Sequence, residues 1–441
     1  MTVHIVGGGL AGSECAYQLA RRDVPVVLYE MRPERSTPAH QTGKMAEMVC
    51  SNSFRSDDPF HAAGLLKREM ESFNSLIIGS ARAAAVPAGG ALAVDREIYA
   101  DRVTAALEAM PGVEIRRQEA TELPDGDVVL ATGPLTSEAM SGVLLGLLGE
   151  EYLYFYDAIA PIVDAESLDM NILFAASRYG KGEGDDYLNA PFSKEEYTAF
   201  YEALVEAEAA DVHDFEKKMF FEGCLPIEEI ARRGVDTPRF GPMKPVGLET
   251  PDGKRPYAVV QLRQENLAKS HYNLVGFQSR LKWGEQKRVF RMIPGLENAD
   301  FVRMGQIHRN TFINAPTHLD KLYRLKNHPR VRLAGQITGV EGYLESAATG
   351  LLNALYLTLE RRGVDFQPLP ATTALGALAR HLTESVAKHF QPANINYGLF
   401  EPLSPARRMK RPERRKVFAE RAHEELGRWQ RRYQDELSCS T

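Results

Sequence analysis

The stretch Val3-His4-Ile5-Val6-Gly7-Gly8-Gly9-Leu10-Ala11-Gly12 reads as a short buried strand that runs straight into a glycine turn. Ser13 to Arg22 continues as a helix, Pro25 interrupts the chain, and Val26 to Tyr29 forms a second strand closed by Glu30. This is a βαβ unit in which Gly7, Gly9 and Gly12 occupy the three glycine positions of the dinucleotide fingerprint. The first glycine permits the tight turn, the second lets a pyrophosphate approach the backbone, and the third lets helix and strand pack closely. Gly8, Leu10 and Ala11 complete the turn at the helix start, where unpaired N–H groups favour phosphate. Glu30, eighteen residues after Gly12, is placed to accept hydrogen bonds from ribose hydroxyls, with Arg32 beside it.

Two further strand ends point to FAD rather than a resident nicotinamide. Val128 to Gly133 ends in Ala131-Thr132-Gly133, and Val331 to Gly339 carries Gly335-Gln336 and Gly339. The helix expected next, from Leu344 to Arg362, turns its positive end toward the flavin, whose reduced form carries negative charge. Tyr343, eight residues after Gly335, is expected near the ring. No second fingerprint exists for a resident nicotinamide. The expected fold class is α/β, a Rossmann-like FAD-binding domain carrying an inserted α+β domain. Its parts are residues 1–155, the insertion 156–325, and residues 326–441, which return to the cofactor fold and end in a basic tail.

A chain of 441 residues with 44% apolar and 25% charged residues is a globular protein of more than one unit. Its net charge of −6 is uneven: residues 151–251 carry −12 and residues 252–332 carry +10. The insertion contains an acidic helical segment, Lys194 to Glu222, and strand-like runs around Tyr257 to Leu262 and Leu274 to Leu281. Arg263, Lys282, Trp283, Lys287, Arg288, Arg291, Arg303, His308, Arg309 and Phe312 mix cations with aromatic rings, a pattern suited to stacking on bases and neutralising phosphates. Its alternative is a solvated face. A helix from Ala374 to Phe390 precedes the tail, where residues 407–416 hold seven basic side chains.

The four cysteines, Cys15, Cys50, Cys224 and Cys439, are too widely spaced for a structural zinc site, and no metal is expected. Cys15 falls in the first helix and reads as core. Cys50 lies in a loop rich in hydrogen-bonding groups. Cys224 precedes a helix whose first turn should contain Pro226. Read as isolated residues, Cys50 and Cys224 are inert before they are nucleophiles. No cleavable apolar leader and no membrane-length apolar run is present, so a cytoplasmic protein is expected.

Several longer stretches are more specific than the glycine turn: CSNSFRSD from Cys50, LATGPLTS from Leu130, FEGCLPIEE from Phe221, EQKRVFRMIPGLENADFVRMGQIHRNTFINAP from Glu285, and LAGQITGVEGYLESAATG from Leu333. With GGGLAG, they closely resemble the TrmFO family, the folate- and FAD-dependent tRNA (uracil-5-)-methyltransferases, from Val3 to about Phe400. The related GidA (MnmG) wobble-uridine enzymes share the FAD fold but are longer and are not expected to carry FEGCLPIEE. The resemblance implies formation of 5-methyluridine at T-loop uridine 54 of tRNA. Methylenetetrahydrofolate would donate the carbon, FAD would carry it and reduce it, and NAD(P)H would supply electrons. It also implies that Cys50 and Cys224 are catalytic thiols. C5 of uracil is a poor nucleophile until a thiolate adds at C6. We assign that attack to Cys224, with Cys50 assisting near the flavin, the exchanged roles being the alternative. The competing functions are a GidA-like wobble-uridine enzyme and a non-catalytic, flavin-stabilised RNA-binding protein.

Overall fold

The computed structural model describes residues 2–37, 39–149, 153–210, 225–305, 307–403 and 409–439. Its first sheet has six strands in the order Arg324–Leu325, His328–Leu333, Asp127–Leu130, Val3–Val6, Val26–Tyr29, Val113–Arg116. All neighbours run parallel except the edge pair Arg324–Leu325 and His328–Leu333. Val3, Ile5, Val128, Val129, Leu130, Val331 and Leu333 are fully buried, as strands covered on both faces require. The expected closing strand near residue 333 therefore lies beside the Ala-Thr-Gly strand, which lies beside the first strand.

Two helices fix the glycine turn. Leu10–Ala20 starts at Gly9, which has no side-chain cap, and the long buried helix Tyr343–Arg361 packs across it. The crossing is close enough that a Cβ on Gly350 would collide with the Ala11 backbone carbonyl. Leu344, Ala347, Ala348, Leu351 and Leu355 of this helix join the same apolar core. The C-terminal helix, Arg411–Arg432, covers that core through Phe418, Ala422, Leu426 and Trp429.

A second six-stranded sheet has its own core and the order Phe174–Ala175, Tyr187–Phe192, Ala258–Gln264, His271–Leu274, Ile162–Asp164, Phe301–Arg303. The chain passes between the sheets along one antiparallel ribbon, in which Leu153–Ala158 pairs with Ile307–Phe312. A small three-stranded sheet, Ser53–Ser56, Ala91–Val94 and Ala85–Val86, carries the segment after Cys50. The α/β class with an inserted α+β unit is the architecture expected from the sequence. Among the described residues, no helix is long and apolar enough to cross a membrane.

Local expectations need four corrections. The strand expected over Leu274 to Leu281 ends at Leu274, because Gly276 adopts φ +78° and turns the chain against Pro242. The acidic helix spans Lys194–Glu206, closed at its start by a Ser193–Glu196 capping box. The helix from Ala374 stops at Glu384, where Ser385 is extended, and a single turn, Ala387–His389, follows. Pro226 is the N-cap of Ile227–Arg232 rather than part of its first turn.

Candidate active site

The glycine turn is held by its own backbone. Gly7 adopts φ +108°, and a Cβ there would collide with the Ala131 carbonyl. A Cβ on Gly12 would strike the Gly7 carbonyl, so the third glycine lets the helix press against the turn itself. Gly9 differs: nothing lies within 4 Å of a Cβ built on it. That open face borders a cleft of about 1010 Å³ lined by Gly7, Gly9, Leu10, Ala11, Glu30, Arg32, Ala131, Thr132, Gly133, Gly335, Gln336 and Tyr343.

The structure thus gathers twelve of the expected cofactor residues around one cleft. Gly8, Gly12 and Gly339 support it from behind. The Gly8 N–H donates to Glu30 Oε2 at 2.9 Å. Gly339, at φ +89°, packs against Phe390. Glu30 is buried, and its carboxylate also accepts from the Arg32 N–H at 2.9 Å and Arg32 Nε at 2.8 Å. Burial alone would raise the Glu30 pKa, but the Arg32 hydrogen bond and charge, with the Arg32 and Gly8 N–H groups, hold it below its ordinary value. Arg32 also reaches Glu47 at 3.0 Å. At the other strand end, the Gly335 N–H donates to Thr349 Oγ1 at 2.6 Å.

A second cavity of about 1340 Å³ adjoins the first and contains Cys50, Ser51, Arg55, Arg263, Asn273, Asn310 and Asn394 in its walls. Val49, Pro134, Leu135, Gln336 and Tyr343 line both spaces and form the partition between them. Tyr343 begins the long helix. Its hydroxyl donates to Cys50 Sγ at 3.2 Å and accepts from the Cys50 N–H at 2.7 Å. Burial, reinforced by the neighbouring Cys50, pushes the Tyr343 phenol well above its ordinary pKa, so it remains a proton donor.

The Cys50 loop is tied to the inserted sheet through Asn52, Arg96 and Asp95, to which the sequence alone assigned no role, and through Arg263 of the basic set. Asn52 donates to the carbonyls of Val94 at 2.9 Å and Gln264 at 3.1 Å, and accepts from Arg263 Nε at 2.8 Å. Arg96 pairs with Glu265 at 2.7 Å and donates to the Met48 carbonyl at 2.9 Å. Asp95 caps the helix Arg96–Glu108 and accepts from the Leu267 N–H at 3.1 Å. Asp95 just before Arg96-Glu97-Ile98 was visible as a helix-start signal. Its long-range partners were not.

Cys15 is fully buried, and burial raises its thiol pKa far above the ordinary range, in keeping with a core role. Cys224 lies outside the described residues, as do Arg407, Arg408 and the end of the acidic segment at Glu222. Glu228, four residues further along the chain, is buried and accepts from the Arg280 N–H at 2.8 Å.

Comparison with known proteins places the chain in a family. Residues 2–365 match the family described as Glucose inhibited division protein A. The chain is 56% identical over 438 residues to the methylenetetrahydrofolate--tRNA-(uracil-5-)-methyltransferase TrmFO of Paramagnetospirillum magneticum, covering 97% of this chain and 98% of that protein. It is 58% identical over 424 residues to the protein of the same name from Moorella thermoacetica, covering 96% and 97%. In fold it is similar to Aquifex aeolicus GidA in the form II crystal, with a TM-score of 0.72, 17% identity, and coverage of 100% of this chain and 74% of that one. Identity above one half along nearly the whole chain leads to one conclusion: the protein belongs to the TrmFO family, within the wider Glucose inhibited division protein A group.

Proposed function

We propose that this protein is a folate-dependent tRNA (uracil-5-)-methyltransferase that holds FAD and forms 5-methyluridine in the T-loop. Methylenetetrahydrofolate is the carbon donor and NAD(P)H the electron source. The observation that carries this reading is the partition between the two cavities, with the cleft lined by the expected cofactor residues on one side and the Cys50 thiol on the other. The relatives named for this reaction support it.

The first cleft fits FAD by its donor set. The open face at Gly9, beside an uncapped helix start, leaves room and N–H groups for a pyrophosphate. Glu30, kept ionised by Arg32, suits ribose hydroxyls. Ala131, Thr132, Gly133, Gly335 and Gln336 line the rest of the cleft. FAD bound there would supply electron transfer and carriage of the one-carbon unit.

The chain's own groups supply the remaining chemistry. Tyr343 orients Cys50 at the partition through both its thiol and its N–H. A thiolate adding at C6 of uracil raises the electron density at C5, and we assign this attack to Cys224, with Cys50 assisting. Residues 1–155 and 326–441 form the cofactor body in this reading. Residues 156–325 form the tRNA body, whose basic segment meets the RNA backbone. The protein would act in the cytoplasm. The test is to incubate unmodified tRNA with the holoenzyme, NADPH and methylene-labelled methylenetetrahydrofolate. Label at C5 of the T-loop uridine is expected. Label at a wobble uridine, or none in RNA, would refute the proposal.

A further inference from the structure

Arg55 lines the Cys50 cavity in an uncommon backbone state. It adopts φ +62°, the left-handed region that a non-glycine residue rarely occupies. The strand that carries it has one residue more than its partner, since Ser53 pairs with Ala93 but Ser56 with Ala91. Such a bulge re-aims a side chain, and backbone strain of this kind concentrates at ligand sites. Phe54 enters the core, whereas the Arg55 side chain is 36% exposed. Its guanidinium is anchored at one end, where Nη2 pairs with the fully buried carboxylate of Glu345. Glu345 also accepts from the Ile395 N–H at 2.8 Å, so the anchor is itself fixed. Among the described residues, the rest of the five-donor fork has no partner.

We infer that Arg55 binds a backbone phosphate of the tRNA beside the target uridine and so seats that base in the Cys50 cavity. The inference rests on the tRNA reading above. A fixed, planar guanidinium with N–H groups to spare can bond two phosphate oxygens at once. A lone carboxylate would satisfy the same fork, but here the cations continue outward. Ser56 Oγ bonds His61 Nδ1 at 2.7 Å, and His61 Nε2 accepts from Arg415 Nη1 at 2.7 Å. Burial, with the charges of Arg415, Lys181 and Arg411, holds His61 below its ordinary pKa although Asp58 opposes them. Lys181 and Arg411 are exposed, one on the insertion and the other on the last helix. The nearby Asp57 is already taken, since Arg82 donates to it at 2.8 Å. A row of positive charge that begins in the cavity wall and reaches the surface fits a polyanion with repeating phosphates. Phosphate contacts position a nucleic acid and carry no base information. Arg55 therefore sets where the target nucleotide lies, not which base it is.

The test measures equilibrium binding of T-arm hairpins to the FAD-loaded protein. One hairpin is unaltered, and two others carry a neutral methylphosphonate at the linkage 5′ or 3′ of the target uridine. The wild type should bind one of these two about tenfold more weakly, as loss of a charge-assisted hydrogen bond gives. Arg55→Met should bind the unaltered hairpin about tenfold more weakly and no longer distinguish it from that methylphosphonate. Its log–log salt slope should be shallower by about one, while methylenetetrahydrofolate affinity does not change. If Arg55→Met leaves Glu345 uncompensated and fails to fold, Arg55→Met with Glu345→Gln removes both charges and is read in the same way. A wild type indifferent to both methylphosphonates, a methylphosphonate effect that persists in the variant, an unaltered salt slope, or a loss confined to folate affinity would overturn the assignment. A wild type that binds none of the hairpins and transfers no label to tRNA would instead strike the tRNA reading, and this inference with it.

Discussion

Tyr343 grips Cys50 twice, its hydroxyl donating to the thiol at 3.2 Å and accepting the backbone N–H at 2.7 Å. One side chain at the start of a buried helix therefore sets both the position of the loop and the surroundings of its sulfur. Tyr343→Phe keeps the ring and removes both bonds, leaving the Cys50 N–H without that acceptor. We expect a loss of about 1–3 kcal/mol in stability. Alkylation of Cys50 by a small thiol reagent should also become faster, read by mass spectrometry of the holoenzyme.

The glycine turn separates folding from cofactor binding. Gly9→Val places its side chain in the open cleft, so the protein should fold with an unchanged circular dichroism spectrum and lose its bound flavin absorbance. Gly12→Ala pushes a methyl group into the Gly7 carbonyl and should lower stability by at least about 2 kcal/mol. A yellow, folded Gly9→Val protein would remove the pyrophosphate from this turn.

The Glu30–Arg32 pair predicts a reversal in pH dependence. In the wild type the Glu30 pKa is held below its ordinary value of 4.5, so its contribution is present above that pH and is lost as the pH falls through the lower folded value. Arg32→Met leaves burial to dominate and pushes the carboxyl upward. The folded variant then binds the proton more tightly than the unfolded chain, and its stability falls as the pH rises past 4.5. Urea midpoints measured from about pH 4 to 7 should show opposite slopes for this contribution in the two proteins.

The thiol roles make separable predictions. Cys224→Ala should lower methyl transfer on the order of 10⁴-fold, as loss of a nucleophile does, while NADPH still reduces the flavin. tRNA with 5-fluorouridine at the target cannot lose its C5 substituent as a proton and should trap the adduct. Peptide mapping is expected to place that adduct on Cys224. An adduct on Cys50 would exchange the roles.

tRNA affinity should fall linearly with log salt, with a slope of about −0.7 to −0.9 for each phosphate neutralised. Arg411 and Arg414 are exposed at the start of the last helix. If they contact RNA, Arg411→Glu with Arg414→Glu flattens the slope measured by filter binding. An unaltered slope assigns that helix to covering the core alone.

The parts of this molecule that were legible in the sequence are those whose physics is local. Gly7, Gly9 and Gly12 announce a turn through backbone constraints within one short segment, and Glu30 follows at a spacing set by one helix and one strand. The Ala-Thr-Gly strand could be recognised for the same reason. The partners of Asn52, Arg96 and Glu265 could not, because each lies far along the chain and only the fold brings them together. Arg263 was legible as a cation of the basic segment, but its burial against Asn52 and beside Asn273 was not. The run around Tyr257 to Leu262 reads only as strand-like, whereas Val259 to Arg263 is buried on both faces and Arg263 lines a cavity. The strand misplaced onto Leu274 to Leu281 shows the limit of apolar runs, since Gly276 ends the extended conformation that the run suggests.

The ribbon of Leu153–Ala158 and Ile307–Phe312 means that the insertion departs from the cofactor sheet and rejoins it at adjacent points. Chain length between those strands is thus decoupled from the cofactor geometry. Residues can be gained, lost or replaced beyond the ribbon while the ends it presents to the first sheet stay paired. A lineage that changes its RNA substrate therefore has a region in which to do so without rebuilding the flavin cleft, provided the Asn52 and Arg96 ties to the inserted sheet are kept.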